Sequence, residues 1–192
     1  FDHFGMLAPL YERFFPPRIP EELTAFVDMP IGGVILDAGG GTGRVAQFLR
    51  DKASQVLVVD SSIEMLKEVR KKIGMHPICS HAENMPFKSR CVDRIIVVDA
   101  LHHVADQVDT AEELWRLLKP GGRIVIEEPD VRSFGVKLIA LAEKLALMRS
   151  HFLSPERIAG LFRFPKARVR VETRSPTARI VVAKDTTEQA RV

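Results

Sequence analysis

A short apolar run followed at once by four closely spaced glycines dominates the sequence of this 192-residue chain. Residues 34–36 lead into Asp37, and glycines then occupy positions 39, 40, 41 and 43. Glycines directly after a strand let the backbone turn sharply and approach a ligand without interference from a Cβ atom. A helix predicted to begin near Arg44 would add free N–H groups at the same place. The segment therefore predicts a strand–turn–helix unit that holds a small polar ligand.

The spacing of these glycines separates the ligand classes that use such turns. A P-loop ends in Gly-Lys-Ser or Gly-Lys-Thr, which is absent here. A dinucleotide fingerprint has the spacing G-x-G-x-x-G, and counting from Gly39 its last position is Arg44. The pattern that remains is Asp37-x-Gly39-x-Gly41-x-Gly43. A turn that only joins strand to helix is the simpler alternative, but four glycines in five positions cost more backbone entropy than that requires.

Short apolar, β-branched runs alternate with helical patterns from residue 31 onward, which is typical of an α/β domain. Helix starts are predicted from capping-box spacings, Ser61 with Glu64 and Thr110 with Glu113. The last two predicted strands have a connection too short for a crossover, so they should be antiparallel. The predicted strands comprise residues 34–36, 55–59, 77–79, 94–98, 123–126, 169–173 and 178–182. They predict a doubly wound, mostly parallel seven-stranded sheet with an antiparallel C-terminal hairpin.

The remaining segments define the predicted domain organisation. Residues 1–30, rich in Phe and Pro, are expected to form an N-terminal helical lid over the α/β domain of residues 31–184. Within that domain, apolar residues recur at helical spacing after residue 131, which predicts a helical insertion over residues 131–164 on the substrate side. The polar residues 185–192 are expected to be a flexible tail.

Composition excludes several classes of protein. With 46% hydrophobic and 28% charged residues, neither a disordered chain nor a fibrous repeat fits. An aromatic content of 7% argues against a base-stacking platform. No apolar run approaches the ~20 residues that span a bilayer. Cys79 and Cys91 are too few for a disulfide scaffold and lack the spacing of a zinc site, so we expect no metal and a cytoplasmic location.

The glycine pattern resembles motif I of the class I S-adenosylmethionine-dependent methyltransferases, and the similarity continues along most of the chain. The resemblance implies a Rossmann-like fold in which this turn wraps the methionine part of the cofactor, with Asp37 near its ammonium group. A carboxylate there would lower the cost of holding cationic groups away from bulk water. The implied cofactor is S-adenosylmethionine, and the implied product is S-adenosylhomocysteine.

An acidic residue at the end of the second strand indicates an adenosine site. Asp60 lies 17 positions after Gly43, and a carboxylate can accept hydrogen bonds from both ribose hydroxyls. Dehydrogenases use the same arrangement, so Asp60 alone indicates adenosine and not a methyl donor. Its alternative role is to cap the following helix. Ser61 and Met65 complete this predicted part of the site, although Met65 fits ordinary helix packing equally well.

Residues 82–87 resemble the family segment after the third strand, where an Asp receives the adenine amino group. Here His81 stands at that position, and Ala82 would offer its backbone N–H to the ring. A neutral imidazole can accept a hydrogen bond and a protonated one cannot, so adenine binding is expected to be weaker or pH-sensitive. An exposed loop histidine without a ligand is the alternative. Glu83 is expected either to bind ribose or to be solvated.

Residues 93–104 resemble the family's fourth-strand motif, including the double histidine of its small-molecule branch. Residues just past the carboxyl ends of parallel strands face the ligand crevice, so Asp99 and Leu101 are expected near the methionine end. His102 and His103 are candidate catalytic bases, with His103 preferred and a packed histidine as the alternative. Near the N-terminus, Tyr11 matches a lid motif that helps to enclose the cofactor, or else packs in the core.

The predicted reaction is an in-line methyl transfer to a small, hydrophobic or aromatic, quinone-like acceptor. Alignment alone can supply about 7 to 11 kcal/mol of the barrier reduction. The nearest resemblance is to the ubiquinone/menaquinone biosynthesis C-methyltransferases. A non-catalytic S-adenosylmethionine-binding protein and an RNA or protein methyltransferase are the alternatives.

A row of arginines raises the question of a macromolecular partner. Arg168, Arg170 and Arg174 share one face of a predicted strand, which could contact RNA or an anionic membrane surface. Charge on an outer strand also prevents edge pairing, which is the simpler interpretation. No DNA partner is expected, because the Asn/Asp-Pro-Pro-Tyr motif of amino-group methylation is missing. The sequence leaves the oligomeric state open.

Overall fold

A computed structural model describes residues 21–29, 31–133 and 150–186 of the chain. These residues form one seven-stranded sheet with helices on both faces. The elements, in chain order, are α1 Glu21–Val27, β1 Val34–Ala38, β2 Gln55–Asp60, α2 Ile63–Arg70, β3 His76–Cys79, β4 Val92–Val98, α3 Gln107–Leu117, β5 Leu118–Pro129, α4 Pro155–Gly160, β6 Ala167–Arg174 and β7 Thr177–Lys184.

The sheet has the order β3-β2-β1-β4-β5-β7-β6. The first five strands of this order are parallel, and β7 is antiparallel to both β5 and β6. The chain moves outward from β1 to β3 and then crosses back to place β4 beside β1. Ligands of open α/β sheets bind at the carboxyl ends of the strands at such a switch point. The predicted doubly wound sheet and its antiparallel hairpin are confirmed.

Both faces of the central strands are buried, which explains their continuous apolar sequences. On one face, Leu36 and Ile124 pack with residues of α3 and α4, such as Leu114. On the other face, Val58 and Ile96 pack beneath α1 and α2. The two cores hold the carboxyl ends of β1, β2, β4 and β5 in fixed positions, and these ends carry the predicted site residues.

Both helix starts predicted from capping boxes differ from the structure. The N-cap of α2 is Ser62, not Ser61, and its Oγ accepts from the Met65 N–H at 3.4 Å. The N-cap of α3 is Asp106, whose carboxylate accepts two backbone N–H groups. Asp is a better N-cap than Thr, and acidic residues are favoured at the positive end of a helix. Thr110 therefore lies inside α3 and donates to the Asp106 carbonyl at 2.7 Å.

The segment after the glycines also differs from the regular helix that was predicted there. It forms two short 3₁₀ helices, Ala46–Phe48 and Arg50–Lys52. Phe48 and Leu49 each donate a backbone hydrogen bond to the carbonyl three residues earlier, which is the tighter 3₁₀ pattern. This turn-rich connection leads directly into β2.

Several predictions fall on residues that the structure does not describe. Residues 1–20, with Tyr11, the central part of the insertion at 134–149 and residues 187–192 lie outside the described residues. Within the described part, no helix is long and apolar enough to cross a membrane. The same residues contain no group of three or more His, Cys, Asp or Glu side chains placed to hold a metal ion.

Candidate functional site

The glycine turn after β1 adopts a conformation that side chains would prevent. Gly39, Gly41 and Gly43 have φ values of +70°, +55° and +74°. At Gly39 an added Cβ would lie 2.6 Å from the Cβ of Ala100, so the turn passes close to the end of β4. At Gly41 an added Cβ would approach, among the described residues, only the Met65 sulfur, at 4.0 Å. The turn therefore packs closely against β4 at Gly39, and the described residues leave space beside Gly41.

The last polar side chain of β1 is a buried acid with an unsatisfied oxygen. Asp37 is 2% exposed, and its Oδ2 has no hydrogen-bond partner among the described residues. Burial raises the pKa of Asp37 to about 7, although the Arg44 guanidinium opposes this rise. Leaving a buried acceptor unpaired costs about 1 to 3 kcal/mol. A cationic group of a ligand in the glycine turn would satisfy this oxygen, so the residues present fit an ammonium-bearing cofactor.

The acid at the end of β2 connects the glycine turn to α2. Oδ2 of Asp60 accepts from the Gly41 N–H and Oδ1 accepts from the Ser62 N–H, both at 2.8 Å. Asp60 therefore supports the start of α2, which is one of the two roles that the sequence left open, and its ribose-binding role stays a prediction. Ser61 is exposed, and Met65 is buried beside Gly41.

The loop after β3 lies next to Asp60. The Ser80 N–H donates to the Asp60 carbonyl at 3.0 Å, and the exposed His81 and half-buried Ala82 follow. Glu83 has a role that the sequence did not predict. Its Oε1 accepts from the backbone N–H groups of Ala105 and Asp106, at 2.7 and 3.1 Å. Glu83 thus holds the backbone just before α3. Contact of His81 with adenine, which the resemblance implies, stays a prediction.

Asp99, directly after β4, faces the glycine turn. Its Oδ2 is 2.9 Å from Nη2 of Arg44, whose side chain is only 12% exposed. Burial raises the pKa of Asp99, and the nearby Glu128 carboxylate adds to this rise against the effect of Arg44. Asp99 also has a φ of +52°, which is costly for a residue other than glycine. The ion pair therefore holds a strained residue at the junction of β1 and β4.

A buried acid at the end of β5 was missed by the sequence analysis. Oε1 of Glu128 accepts from the Ala100 and Leu101 N–H groups at 2.9 and 2.8 Å, and Oε2 lies 2.5 Å from Nδ1 of His102. Leu101 itself is buried in the core on the α3 side. The signal was present in the sequence, because acids also follow β1, β2 and β4 at this edge.

The two histidines occupy different environments. His102 is 4% exposed, and its ring is engaged with Glu128. His103 is half-buried, with Nδ1 3.2 Å from the Ser150 hydroxyl oxygen. Burial and the neighbouring His102 lower the pKa of His103 to about 3, so its imidazole is neutral near pH 7. An imidazole with so low a pKa is a weak general base.

A cleft of about 830 Å³ opens beside the Arg44–Asp99 pair. Its walls come from α1, the ends of β4 and β5, and the β6–β7 turn. The lining is mixed, with apolar Leu23, Phe26 and Val98 and charged Glu127, Arg174 and Arg179. Small-molecule sites are typically about 300 to 1,000 Å³. The volume of the cleft therefore lies within the range of small-molecule sites.

The arginines of β6 are largely matched by acids. Arg168 pairs with Asp185 at 2.5 Å, and Arg170 pairs with Glu172 at 2.6 Å. On the neighbouring strand, Arg179 pairs with Glu127 at 2.5 Å. This face of the sheet is therefore less positive than its arginines alone suggest.

Comparisons with known proteins agree with this geometry. Residues 36–126 match the family model described as a methyltransferase domain. This match covers just under half of the chain, and together with the fold and the glycine turn it supports a class I S-adenosylmethionine-dependent methyltransferase. The matched residues run from β1 to β5 and include the acids at the ends of β1, β2 and β4.

Curated relatives carry different substrate names. A malonyl-[acyl-carrier protein] O-methyltransferase of Marinomonas sp. is 28% identical over 130 residues, covering 64% of this chain and 48% of that protein. A demethylmenaquinone methyltransferase of Paenarthrobacter aurescens is 33% identical over 103 residues, covering 53% of this chain and 41% of that protein. The chain thus spans about half the length of these relatives, or less.

Solved structures share the fold over nearly the whole chain. A chain in a complex between the Haloferax volcanii Trm112 methyltransferase activator and a methyltransferase has a TM-score of 0.80 at 18% identity, covering 96% of this chain and 99% of that one. A Thermotoga maritima structure, described as a possible histamine N-methyltransferase, has a TM-score of 0.79 at 23% identity, covering 95% and 98%. At these identities the likeness establishes the fold.

Proposed function

We propose that this chain transfers a methyl group from S-adenosylmethionine to a small-molecule acceptor. The observation that carries the proposal is the buried Asp37 oxygen beside a glycine turn with outward room. A buried acid without a partner is unfavourable unless a ligand supplies one. S-adenosylmethionine carries an ammonium and a sulfonium, and Asp60, which accepts from the Gly41 N–H of this turn, would receive its ribose.

The protein's contribution is mainly alignment. The bound sulfonium supplies an activated methyl group whose leaving group is neutral, so no acid is needed to expel it. Asp37 would hold the ammonium, Asp60 would hold the ribose hydroxyls, and Asp99 would border the reacting end. In such a transfer the acceptor would gain the methyl group and lose one proton to solvent, and S-adenosylhomocysteine would be the other product. His103 is too weak a base to dominate, so positioning accounts for most of the rate increase.

The acceptor we propose is a quinone-like aromatic molecule with polar ring substituents. Val98 and the edge of Phe26 supply apolar surface in the cleft, while the Arg179 guanidinium lies over the Phe26 ring, 4.9 Å from its centroid. The Glu127–Arg179 ion pair would meet hydroxyl or carbonyl groups at the edge of the acceptor. The cleft adjoins Asp99, so the acceptor would lie next to the methyl group. The name of the Paenarthrobacter relative supports this class of acceptor.

The test is a methyl-transfer assay with S-adenosylmethionine and a reduced, unmethylated naphthoquinone, with products identified by mass spectrometry. We expect a product heavier by one methylene unit, lost in Asp37→Asn and retained in the control Asp51→Asn, whose side chain is 87% exposed. Transfer to RNA but not to the naphthoquinol would replace the small-molecule proposal with an RNA methyltransferase. Cofactor binding without transfer across a broad acceptor panel would indicate a non-catalytic binding protein.

A further inference from the structure

Glu128 fixes the turn that follows β4. Its two oxygens together receive the N–H groups of Ala100 and Leu101 and the Nδ1 of His102. The side chains of His102 and Glu128 are only 5% and 4% exposed. The Asp99 N–H donates to the Glu127 carbonyl at 2.9 Å, so each residue of 99–102 is bonded to the end of β5. We call Glu128, His102 and the two backbone N–H groups the carboxylate clamp.

Residues 150–152, near the end of the predicted insertion, also pack against the clamp. The His151 N–H donates to the His102 carbonyl at 2.7 Å, and the Phe152 ring stacks on the His102 ring with centroids 4.3 Å apart. The Gln107 amide donates to the carbonyls of Leu101 and His151, at 3.0 and 2.7 Å. Residues 150–152 therefore rest on the clamp through both backbone and side-chain contacts.

The opposite side of the same turn faces the glycine turn. Asp99 binds Arg44, and the Ala100 methyl group occupies the space where a side chain at Gly39 would lie. Residues 99–103 thus separate the predicted cofactor site from residues 150–152. Close-packed elements of this kind transmit small displacements from one side to the other.

We propose that Glu128 and His102 are positioning residues that couple occupation of the cofactor site to the ordering of residues 150–153 on the α3 side of the β4 turn. The inference rests on the proposed function for the ligand that occupies the glycine turn. Glu128 holds the backbone of the turn, and His102 transmits its position through the bond to Glu128 on one side and the stack on Phe152 on the other. In this arrangement His102 acts through its neighbours, because its Nδ1 is already engaged.

Two substitutions of His102 test its bond to Glu128 and its stack on Phe152 separately. His102→Asn retains an N–H that can donate to Glu128 but removes the ring that stacks on Phe152. His102→Phe retains the stack but leaves Oε2 of Glu128 without this donor. Glu128→Gln retains an oxygen for the Ala100 and Leu101 N–H groups and serves as the conservative variant. Matched controls are Glu112→Gln and His76→Asn, both at exposed positions.

The experiment combines hydrogen–deuterium exchange of residues 150–153 with calorimetric titration of S-adenosylhomocysteine. In the unsubstituted protein and both controls, S-adenosylhomocysteine should slow this exchange. The affinity of His102→Asn for S-adenosylhomocysteine should stay within about threefold of that of the unsubstituted protein, but the ligand should no longer slow exchange at residues 150–153. His102→Phe should bind S-adenosylhomocysteine roughly tenfold more weakly, which lies within the range that mutations of coupled residues produce. Glu128→Gln should fall between the controls and His102→Phe in affinity.

The outcomes distinguish this inference from the proposed function. If S-adenosylhomocysteine binds normally but exchange at 150–153 is unchanged by ligand, or is slowed equally in His102→Asn, the coupling is wrong and the proposed function stands. If the unsubstituted protein fails to bind S-adenosylhomocysteine, both are overturned. Because His102→Asn retains the buried bond to Glu128, its circular dichroism should match that of His76→Asn.

Discussion

Asp37 and Glu128 are two buried acids at the same edge of the sheet, and their surroundings are opposite. Asp37 ends β1 and Glu128 lies near the end of β5, with β4 between the two strands. They are 2% and 3% exposed. Three donors surround the Glu128 carboxylate, whereas one oxygen of Asp37 has no partner among the described residues.

This difference shows that burial by itself does not identify a ligand-binding acid. A buried carboxylate whose oxygens all accept hydrogen bonds from the chain stabilises the fold. A buried carboxylate with an oxygen that accepts none is placed to bind a donor from a ligand. Glu128 therefore positions the β4 turn, and we propose that Asp37 marks the cofactor site. The two residues should respond to substitution in opposite ways.

The largest expected effect is on stability. Glu128→Ala leaves two backbone N–H groups and His102 without their acceptor, so the free energy of unfolding should fall by about 3 to 5 kcal/mol. Asp37→Asn should change the free energy of unfolding by less than about 1 kcal/mol. With a pKa of about 7, Asp37 is partly protonated at pH 7, and Asn resembles the protonated acid. Urea denaturation at pH 7 measures both. Equal losses of unfolding free energy in Glu128→Ala and Asp37→Asn would contradict the difference between the two acids.

The next effect is on ligand binding. Asp37→Asn should weaken the binding of S-adenosylhomocysteine at pH 8 by about 10- to 100-fold, since a hydrogen bond to a charged group contributes roughly 1.5 to 3 kcal/mol. Isothermal titration calorimetry measures the change. The control Asp51→Asn should bind within about twofold of the unsubstituted protein, as its side chain is 87% exposed. Undiminished affinity in Asp37→Asn would mean that this oxygen does not face the ligand.

The smallest effect concerns His81, where the chain departs from the family pattern. His81→Asp introduces a carboxylate, which is ionised near neutral pH and can accept a hydrogen bond from the adenine amino group. S-adenosylhomocysteine should then bind about threefold more tightly, within the ~0.5 to 1.5 kcal/mol of one hydrogen bond. His76→Asp, on the exposed edge strand β3, is the matched control. Equal affinity in His81→Asp and His76→Asp would place adenine away from residue 81.

The sequence predicted the strands well because their signal is local. Residues 56–59 and 95–98 are continuous apolar runs, and both lie in buried parallel strands. The acids after β1, β2 and β4 were identifiable for the same reason, since each follows such a run. Position in the chain also placed Asp60 beside the glycine turn, where its carboxylate accepts from Gly41.

The partners of side chains were not predictable, because they depend on contacts distant in sequence. Glu128 reaches Ala100 and Leu101 only because β5 pairs with β4 in a register that aligns Glu127 with Val98. Glu83 and Ala105 are 22 residues apart, and no local pattern links them. The caps of α2 and α3 were misplaced because several polar residues near each start could serve, and three-dimensional packing decides between them.

The most direct test of the central claim is calorimetric titration of S-adenosylhomocysteine at pH 6 and pH 8. A proton on Asp37 blocks its interaction with an ammonium group, and its pKa is raised to about 7. Affinity should therefore rise about tenfold from pH 6 to pH 8, with proton release at pH 7 seen as heat that depends on the buffer. The Asp37 contribution is the part lost in Asp37→Asn. No binding at either pH, or a pH dependence identical in Asp37→Asn, would contradict the account.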